Sequence, residues 1–379
     1  MKLAIISHTE HYKTADGTLV GWGPTVTEIN HLLEVFDTIY HVSMFHESEA
    51  PASALPYISD RIVFVPLPVL GGHSVADKFK LLWKSPKVLR IVNDTLKKVD
   101  WFQFRGPTGI GVYVIPYLTL CKKKPGWFKY AGNWNQKKPP LGYRLQRSML
   151  KYQSRKVTIN GQWNNQPKQC ISFENPCLTD EDLREGIQLC KKKSIDGPLT
   201  YCFVGRLEKP KGVERIILAM TDLPVEEKFL IAEVHLVGNG ADFNYFESLA
   251  KDSGVNFVFH GSLSREQVFK IYKASEVFLM PTTASEGFPK VIAEAMNFGC
   301  LPIVSPISSI GQYVNHMETG LCLNEVTSEE LKSAIMELNK MKTNQFLKIL
   351  MNQRAIVAKF SFRNYNERIK SEITLKHEI

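Results

Sequence analysis

Short apolar runs alternate with helix-length amphipathic segments along both halves of the chain. The runs that we predict to be strands are 3–6, 62–65, 101–104, 157–159, 201–204, 233–237, 256–259, 277–280 and 301–304. Strands that alternate with helices in this way are typical of βαβ units and parallel sheets. The pattern therefore predicts an α/β fold with two doubly wound, Rossmann-like domains.

The length of 379 residues is more than one hydrophobic core supports, which also favours two domains. We predict the break near "SFENPCLTDEDL", where Asn175-Pro176 ends one half and a capped helix begins the next. The expected domains are 1–175 and 176–358, with a C-terminal helix at about 359–379 that packs back on the first domain.

Seven cysteines without a C-x-x-C pair argue against a disulfide framework and against a structural zinc site. The first apolar run is only four residues long, and the longest one, at 112–120, is interrupted by Pro116. Neither resembles a signal peptide or a membrane span. We therefore expect a cytoplasmic protein with reduced thiols.

Positive charge is concentrated in the first half of the chain. The net charge is +9, and residues 1–176 hold 23 Lys and Arg against 12 Asp and Glu. The segment from Lys122 to Lys156 contains no acidic residue and is interleaved with aromatic residues. Basic and aromatic residues together suit an anionic membrane surface. One alternative is a solvated basic face whose aromatic residues lie in the core. Another is RNA binding. No RNA motif accompanies the charge, so no nucleic acid partner is expected.

The loop after the predicted strand 201–204 carries Gly205, Arg206 and Lys211 ahead of an amphipathic helix. A helix N-terminus favours anions through its free N–H groups, and two cations there could clamp a diphosphate. A solvated surface loop is the alternative reading of the same residues.

Two glycine pairs follow the same logic. Gly238 and Gly240 come after a strand but lack the third glycine and the downstream acid of a dinucleotide fingerprint, so on their own they favour a tight turn over a nicotinamide site. Gly21 and Gly23 precede a Thr-led helix and could cover phosphates or seat an acceptor. A plain helix-entry turn is as good an interpretation of this second pair.

The segment "FLMPTTASEGFPKVIAEAMNFGC" (278–300) predicts a strand, a polar loop and a helix over 289–298. Helical spacing places Val291, Ile292, Ala295 and Met296 on the buried side and Lys290, Glu294 and Asn297 on the other. A solvated Lys290–Glu294 pair would explain the second carboxylate. That pair leaves Glu286 and the helix start unexplained. A nucleotide sugar would explain them, because it needs hydrogen-bond donors for its phosphates beside carboxylates that accept from its hydroxyl groups.

The order of these motifs resembles a known family. G-R-L-x-x-x-K-G (205–212), G-x-G (238–240), H-G-S-L (260–263), E-G-F-P-x-V-x-x-E-A-M (286–296) and E-T-G-L (318–321) resemble retaining glycosyltransferases of family four. The resemblance covers most of residues 198–325. It implies the GT-B fold, with two Rossmann-like domains that face each other across a cleft.

The resemblance also implies roles for individual residues. Arg206, Lys211 and Glu286 would be catalytic, with the two cations on the leaving diphosphate and Glu286 beside the transferred sugar. Glu294 would bind the ribose. The other expected donor-binding residues are Gly205, Gly238, Gly240, Gly287, Phe288, Pro289, Lys290, His260, Gly261 and Leu263. No convincing cluster of metal ligands stands out in the sequence, so no metal and no cofactor beyond the nucleotide sugar are expected.

One departure from the family concerns the first domain. Many relatives have a histidine near the sugar where this chain has "KYAGNWNQ", which offers Gly132 and Asn133. Asn133 therefore joins Gly21 and Gly23 as an expected acceptor or phosphate contact.

The sequence thus predicts a retaining glycosyltransferase that moves a sugar to a lipid-linked or oligosaccharide acceptor in surface polysaccharide biosynthesis, peripherally bound at the inner face of the cell membrane. A nucleotide-sugar epimerase or hydrolase on the same fold is one alternative. A basic protein that binds membrane or nucleic acid is the other.

Overall fold

The computed structural model describes residues 1–72 and 74–375. The chain divides into an N-terminal unit, Met1–Asn175 with the segment that begins at Phe362, and a C-terminal unit, Pro176–Ser361. The last four residues of the C-terminal helix predicted at 359–379 lie outside the described residues.

The N-terminal unit is built on a nine-stranded sheet. Its strands are β1 (Lys2–Lys13), β2 (Leu19–Trp22), β3 (Thr38–Phe45), β4 (Ala54–Pro56), β5 (Ile62–Leu67), β6 (Trp101–Gly106), β7 (Gly126–Tyr130), β8 (Val157–Ile159) and β9 (Cys170–Ser172). Seven of them form a parallel series in the order β5-β3-β1-β6-β7-β8-β9. The end of β1 pairs antiparallel with β2, and β2 pairs antiparallel with β4, so this sheet is not purely parallel as the sequence predicted.

Helices cover both faces of this sheet. In chain order they are α1 (Gly23–His31), α2 (Val75–Trp83), α3 (Ser85–Leu96), α4 (Gly111–Leu120) and α5 (Leu141–Lys151). Strand residues 3–6 are fully buried because successive side chains enter the separate cores on the two faces. Burial on both faces is why such strands are continuous apolar runs in the sequence.

The C-terminal unit contains a six-stranded parallel sheet. Its strands are β10 (Leu199–Val204), β11 (Ile231–Val237), β12 (Phe257–Gly261), β13 (Val277–Met280), β14 (Leu301–Val304) and β15 (Leu321–Cys322). Their order is β12-β11-β10-β13-β14-β15. Each predicted strand of this half overlaps one of these strands, and the α/β fold class is confirmed.

Eight helices connect and cover these strands. They are α6 (Asp180–Cys190), α7 (Val213–Thr221), α8 (Val225–Lys228), α9 (Phe243–Ala250), α10 (Arg265–Ala274), α11 (Lys290–Asn297), α12 (Ser328–Asn339) and α13 (Thr343–Val357). The chain then returns to the N-terminal unit as α14 (Phe362–Arg368), followed by a π-helix over Ile369–Thr374. Tyr365, Ile369 and Ile373 of this segment pack in the same core as α1.

The basic segment from Lys122 to Lys156 does not present most of its aromatic residues to solvent. Trp127, Phe128, Tyr130 and Trp134 lie in the core of the N-terminal unit, whereas Tyr152 is exposed. The four buried rings belong to β7 and the turn after it, where the sheet needs large apolar side chains. Their presence in the sequence is therefore explained by packing.

A buried ion cluster joins α1 to the sheet. Glu28 accepts from the Arg105 guanidinium at 2.9 Å and from the Lys129 ammonium at 2.6 Å. The Lys129 ammonium also lies 4.9 Å from the centre of the Tyr365 ring, which belongs to α14. Two cations and one carboxylate are thus buried where the C-terminal segment meets the sheet.

A candidate anion and sugar site in the C-terminal unit

The order of the second sheet creates a crevice between β10 and β13. The chain passes from β10 to β11 on one side and later returns to β13 on the other. In open parallel sheets, ligands bind beyond the carboxyl ends of the strands at the point where the order reverses. The loops that follow β10 and β13 are therefore the first place to look for a site.

These two loops are joined directly. The Pro210 carbonyl oxygen accepts from the Thr283 amide at 2.8 Å and from the Thr282 hydroxyl at 3.0 Å. Gly212 has a φ of 96°, and a Cβ at that position would lie 2.4 Å from the Pro281 carbonyl oxygen. Glycine at 212 therefore allows the turn before α7 to press against the end of β13.

The close approach brings Lys211 and Glu286 together. The Lys211 ammonium forms an ion pair with the Glu286 carboxylate. The lysine side chain is 11% exposed and the glutamate side chain is 39% exposed, so the pair lies at the surface end of a mostly buried stem. Two residues predicted to be catalytic, 75 positions apart in the chain, thus meet at the switch point of the sheet.

Arg206 does not converge on Lys211 as the sequence predicted. Its side chain is 68% exposed and pairs with Glu208 at 3.0 Å. Among the residues that the structure describes, Glu208 is the ion-pair partner of this guanidinium, and most of the side chain is exposed. The two cations therefore differ: Lys211 is fixed by packing, and Arg206 is not.

Glycines 238 and 240 let a third loop reach the same edge. A Cβ on Gly238 would lie 1.9 Å from the Gly205 carbonyl oxygen, and one on Gly240 would lie 2.2 Å from that of Leu207. Leu207 donates its amide to Asn239 at 3.0 Å, which locks the loops after β10 and β11 together. Direct backbone contacts therefore join these two loops.

The predicted base segment follows β12. His260 and His235 share a hydrogen bond at 3.0 Å between Nε2 and Nδ1, and burial lowers the pKa of both rings. Gly261 accepts from the Gly238 amide at 2.8 Å, and Leu263 is half-buried. This segment therefore adjoins the Gly238 loop.

Helix α11 starts at the site without a side-chain cap. Pro289 occupies the N-cap position and Lys290 is the first helical residue. Gly287 and Phe288 are buried, and the Phe288 ring lies 4.7 Å from the centres of Tyr313 and Phe360. Phe288 therefore anchors the loop by packing, and its contribution to a ligand would come from the backbone.

Glu294 lies one turn further into α11 in a low-polarity environment. Burial raises the pKa of its carboxyl group, although Arg265 and Lys290 are close enough to oppose the shift. Among the described residues, its carboxylate forms no ion pair with either cation. Within the described part of the chain it is therefore a buried carboxyl group without a salt-bridge partner, and a hydrogen bond with Tyr272 is a further influence that lowers its pKa.

Asn297 corrects the predicted helix face. The sequence placed it with Lys290 and Glu294 on the outer side, but its side chain is fully buried. The reason is a hydrogen bond from Nδ2 to the Asp182 carbonyl oxygen at 2.7 Å, which fastens α11 to α6. A polar residue that is buried by such a hydrogen bond is placed on the outer face by helical periodicity, although the structure places it in the core.

Sequence reasoning missed Arg265, the first residue of α10. Its guanidinium donates to the Cys177 carbonyl oxygen at 2.6 Å and to Asp182 at 3.0 Å, and its charge acts on Glu294. Nothing in "HGSLSREQV" distinguishes this arginine from a solvated one, because its partners come from residues more than 80 positions earlier.

The remaining predicted residues belong to the N-terminal unit. Gly21 lies in β2, where a Cβ would be 2.5 Å from the His11 ring, and Gly23 begins α1 with its amide bonded to the Ser53 carbonyl oxygen at 3.2 Å. The Asn133 side chain accepts from the Asn135 amide at 2.9 Å and closes a turn. Close packing accounts for both glycines without a ligand.

Within the described residues, no group of three His, Cys, Asp or Glu side chains is arranged to hold a metal ion. The same part of the chain has no helix that is both long and apolar enough to cross a bilayer.

Comparison with known proteins gives matches in sequence. Residues 188–353 match the family model described as Glycosyl transferases group 1. An uncharacterised glycosyltransferase of Methanocaldococcus jannaschii is 32% identical over 148 residues, which cover 39% of this chain and 38% of that protein. The lipopolysaccharide 1,2-N-acetylglucosaminetransferase of Salmonella typhimurium is 21% identical over 202 residues, 51% of each chain. The matches thus span only about two fifths to one half of these curated relatives.

Solved structures resemble the chain over nearly its whole length. Anabaena HepE in complex with UDP has a TM-score of 0.70 at 15% identity, with 99% of this chain and 100% of that one covered. WaaG, a glycosyltransferase involved in lipopolysaccharide biosynthesis, has a TM-score of 0.65 at 16% identity, with 98% and 100% covered. These likenesses establish the fold. The chain has the GT-B fold, and its residues 188–353 match the model of the Glycosyl transferases group 1 family.

Proposed function

We propose that the chain is a retaining glycosyltransferase that moves a sugar from a nucleoside diphosphate sugar to a lipid-linked glycan during surface polysaccharide biosynthesis. The observation that carries the proposal is the Lys211–Glu286 pair at the switch point of the second sheet, at the uncapped start of α11. A cation, free helix amides and a carboxylate at one edge match a ligand that has phosphates at one end and hydroxyls at the other.

The donor diphosphate would bind Lys211 and the first amides of α11. Because the lysine is already held by Glu286, its stem loses little freedom when a phosphate arrives. The diphosphate replaces Glu286 as the ion-pair partner of Lys211, and Glu286 is then available to accept hydrogen bonds from the hydroxyls of the sugar. Arg206 is exposed in the free protein and would close on the phosphates only after the donor binds.

Glu294 would accept from the ribose hydroxyls. A carboxylate that lacks a salt-bridge partner and is poorly solvated gains more from two hydroxyl donors than a solvated one does. The nucleotide base would lie along the segment with His260, Gly261 and Leu263. UDP bound to the GT-B structure of HepE is in keeping with a nucleotide ligand for this fold.

The chemical step would use the leaving group itself. The bond from the anomeric carbon to the phosphate oxygen breaks, the acceptor hydroxyl attacks the same face, and its proton passes to the departing diphosphate. The protein then contributes positive charge where negative charge develops. Removal of one preorganised donor of this kind costs about 3 kcal/mol, or roughly a hundredfold in rate.

The proposal is tested with a thermal-shift panel of UDP-, GDP-, ADP- and dTDP-sugars. A ligand that binds only the folded state raises the melting temperature, and the shift grows with the logarithm of the ratio of ligand concentration to Kd. We expect one nucleotide class to stabilise the protein and Lys211→Met to remove the shift. Lys209→Met is the matched control: it lies two residues away, but its ammonium is exposed and pairs with Glu214 at 3.4 Å, so the shift should persist.

The reaction class is tested with the donor found in that panel. Transfer requires that nucleotide diphosphate is released faster when a glycan acceptor is added, and that NMR of the product shows the anomeric configuration of the donor. Release at the same rate without acceptor would indicate a hydrolase, and a changed sugar without transfer would indicate an epimerase. Equal shifts for Lys211→Met and wild type would refute the site.

A further inference from the structure

Helix α2 presents an apolar stripe to solvent. Phe79, Leu82 and Trp83 are 73%, 60% and 78% exposed. At about 100° per residue, the three side chains fall within an arc of roughly 100° on one side of the helix. Scattered exposed apolar residues are ordinary in soluble proteins, but a contiguous stripe with a tryptophan and a phenylalanine marks an interaction surface.

The opposite side of α2 is fastened to the N-terminal unit. Leu81, about half a turn away from the stripe, packs against the core beneath the sheet. The helix begins with a capping box in which the Ser74 side chain accepts from the Asp77 amide and the Asp77 side chain accepts from the Ser74 amide. The helix is therefore anchored on its inner side, and the apolar stripe is its free side.

Lysines border the stripe. Lys78 and Lys80 lie on its two flanks, and Lys84 and Lys87 continue the charge past the end of the helix. The one acidic residue of α2, Asp77, belongs to the cap. Residues 74–156, which include this helix and the segment from Lys122 to Lys156, hold 19 Lys and Arg against three Asp and Glu. The flanks of the stripe are thus positive, and the part of the sequence that contains it is strongly basic.

We propose that α2 docks the chain on an anionic lipid bilayer. The rings of Phe79 and Trp83 and the Leu82 side chain enter the boundary between headgroups and acyl chains, and the bordering lysines contact lipid phosphates. An interfacial helix combines these two features, an apolar stripe and cationic flanks. The surface would bring the protein to the lipid-linked acceptor of the proposed function, on which this role rests, but binding to the bilayer does not require the donor site.

The composition of the stripe favours lipid over nucleic acid. RNA binding would use the lysines and could stack a base on an aromatic ring, but it would leave Leu82 and the outer edge of Trp83 in water. Lipid removes all three side chains from water. The N-terminal unit also places four aromatic rings of the segment from Lys122 to Lys156 in its core, so α2 is the better-exposed aromatic element of the basic region.

The C-terminal unit contains a matched control surface. Val225, Phe229 and Leu230 form another exposed apolar group around α8. Its neighbours are Glu226, Glu227 and Lys228, whose ammonium donates to the Ser253 carbonyl oxygen at 2.8 Å, so the same apolar character occurs there with a net negative border. A protein that adheres to vesicles only because it has exposed apolar residues would use both surfaces.

The test is sedimentation of the full chain with vesicles of phosphatidylcholine alone or mixed with phosphatidylglycerol. We expect binding to the mixed vesicles. Phe79→Ser, Leu82→Ser and Trp83→Ser together should lower the partition coefficient at least tenfold, because most of the buried apolar area is lost. Neutralisation of Lys78 and Lys80 by glutamine should lower it by about fivefold for each lysine.

The control variant changes Val225, Phe229 and Leu230 to serine and should bind as the wild type does. Because Phe79, Leu82 and Trp83 are 60–78% exposed, the melting temperature of the α2 variants should remain close to that of the wild type. Leu230 is only 40% exposed, so the control variant is assayed below its own melting temperature. A brominated acyl chain should quench part of the tryptophan fluorescence, and Trp83→Phe should remove that part.

Three results would overturn the proposal. One is equal vesicle binding by the serine variant of α2 and the wild type. Another is binding that ignores phosphatidylglycerol. The third is tight, salt-dependent binding of polyuridine that the α2 variants retain while vesicles fail to compete. A protein that binds vesicles as expected but gives no shift with any nucleotide sugar would retain the surface and lose the proposed function.

Discussion

Substitution of Glu294 by glutamine separates stability from binding at the candidate site. The carboxyl group is buried near Arg265, Lys290 and Asp182, and burial is the largest influence on its raised pKa. A raised pKa means that the folded state disfavours the charged form relative to the unfolded chain. Glutamine keeps the shape and the carbonyl oxygen but has no charge to desolvate. The variant should therefore be more stable than the wild type in the absence of ligand.

The pH window follows from the direction of the shift. Below the ordinary glutamate pKa, the carboxyl group is neutral in both states, and the variant has no advantage. The advantage grows as the pH rises through the folded pKa and is complete above it. A gain on the order of 1 kcal/mol raises the melting temperature of a domain of this size by about 2–4 °C.

Donor binding should change in the opposite direction. A hydrogen bond to a charged acceptor contributes about 1.5–3 kcal/mol, so the loss of charge at Glu294 should weaken the donor by roughly ten- to a hundredfold. Thermal unfolding at pH 4 and at pH 8, with and without the nucleotide sugar, measures both effects on one sample.

Glu276→Gln is the matched control for stability. Its carboxylate accepts from the Lys193 ammonium at 3.2 Å and from the Thr200 amide at 3.0 Å, and the Lys193 side chain is almost fully buried. Here glutamine removes the partner of a buried cation, which costs about 1–3 kcal/mol. If Glu294→Gln lowers the melting temperature as Glu276→Gln does, or leaves the donor shift intact, the assignment of Glu294 as an unpaired ribose acceptor is wrong.

Two further predictions concern stability. Gly238→Ala should destabilise the C-terminal unit by more than about 2 kcal/mol. Its φ is 134°, and the new Cβ would meet the Gly205 carbonyl oxygen. Gly197→Ala is the control, since the space around that residue is open, and it should have little effect in a denaturant titration. His8 and His11 have pKa values lowered to about 4, chiefly by burial, so the free energy of unfolding should fall as the pH drops from about 6.5 towards 4; His8→Phe should reduce that slope, and an unchanged slope would contradict the role of the buried ring.

Several of the strands that the sequence predicts are buried on both faces, but the match is incomplete, because the predicted β12 is only partly buried and the fully buried β7 was not predicted. Residues 3–6 and 277–280 are uninterrupted apolar runs because each successive side chain enters a core. Strands β2 and β4 were not predicted, since "LVGW" and "ALP" are short and lie at the margin of the sheet, where one side faces solvent. Their pairing depends on the end of β1, which the local pattern does not encode.

The site shows the same division between local and distant causes. The position of Glu286 before a helix follows from nearby residues. Proline is favoured at the start of a helix, and Pro289 stands at the start of α11. The outer position assigned to Asn297 was wrong because its partner, the Asp182 carbonyl, lies 115 residues away. Arg265 was missed for the same reason. Helical periodicity gives the direction of a side chain, but it does not give the polar group that the side chain meets there.

Glycine connects the fold to the chemistry at this site. A Cβ on Gly212 or on Gly238 would occupy the space of a neighbouring carbonyl group, so the loops after β10, β11 and β13 can meet only where the side chain is absent. That contact is what sets Lys211 against Glu286 before any ligand arrives. The cation is therefore positioned by backbone packing and neutralised by its partner, which keeps a mostly buried charge tolerable in the free protein. A diphosphate would replace that partner without a new conformational cost, and this is the property that distinguishes Lys211 from the exposed Arg206.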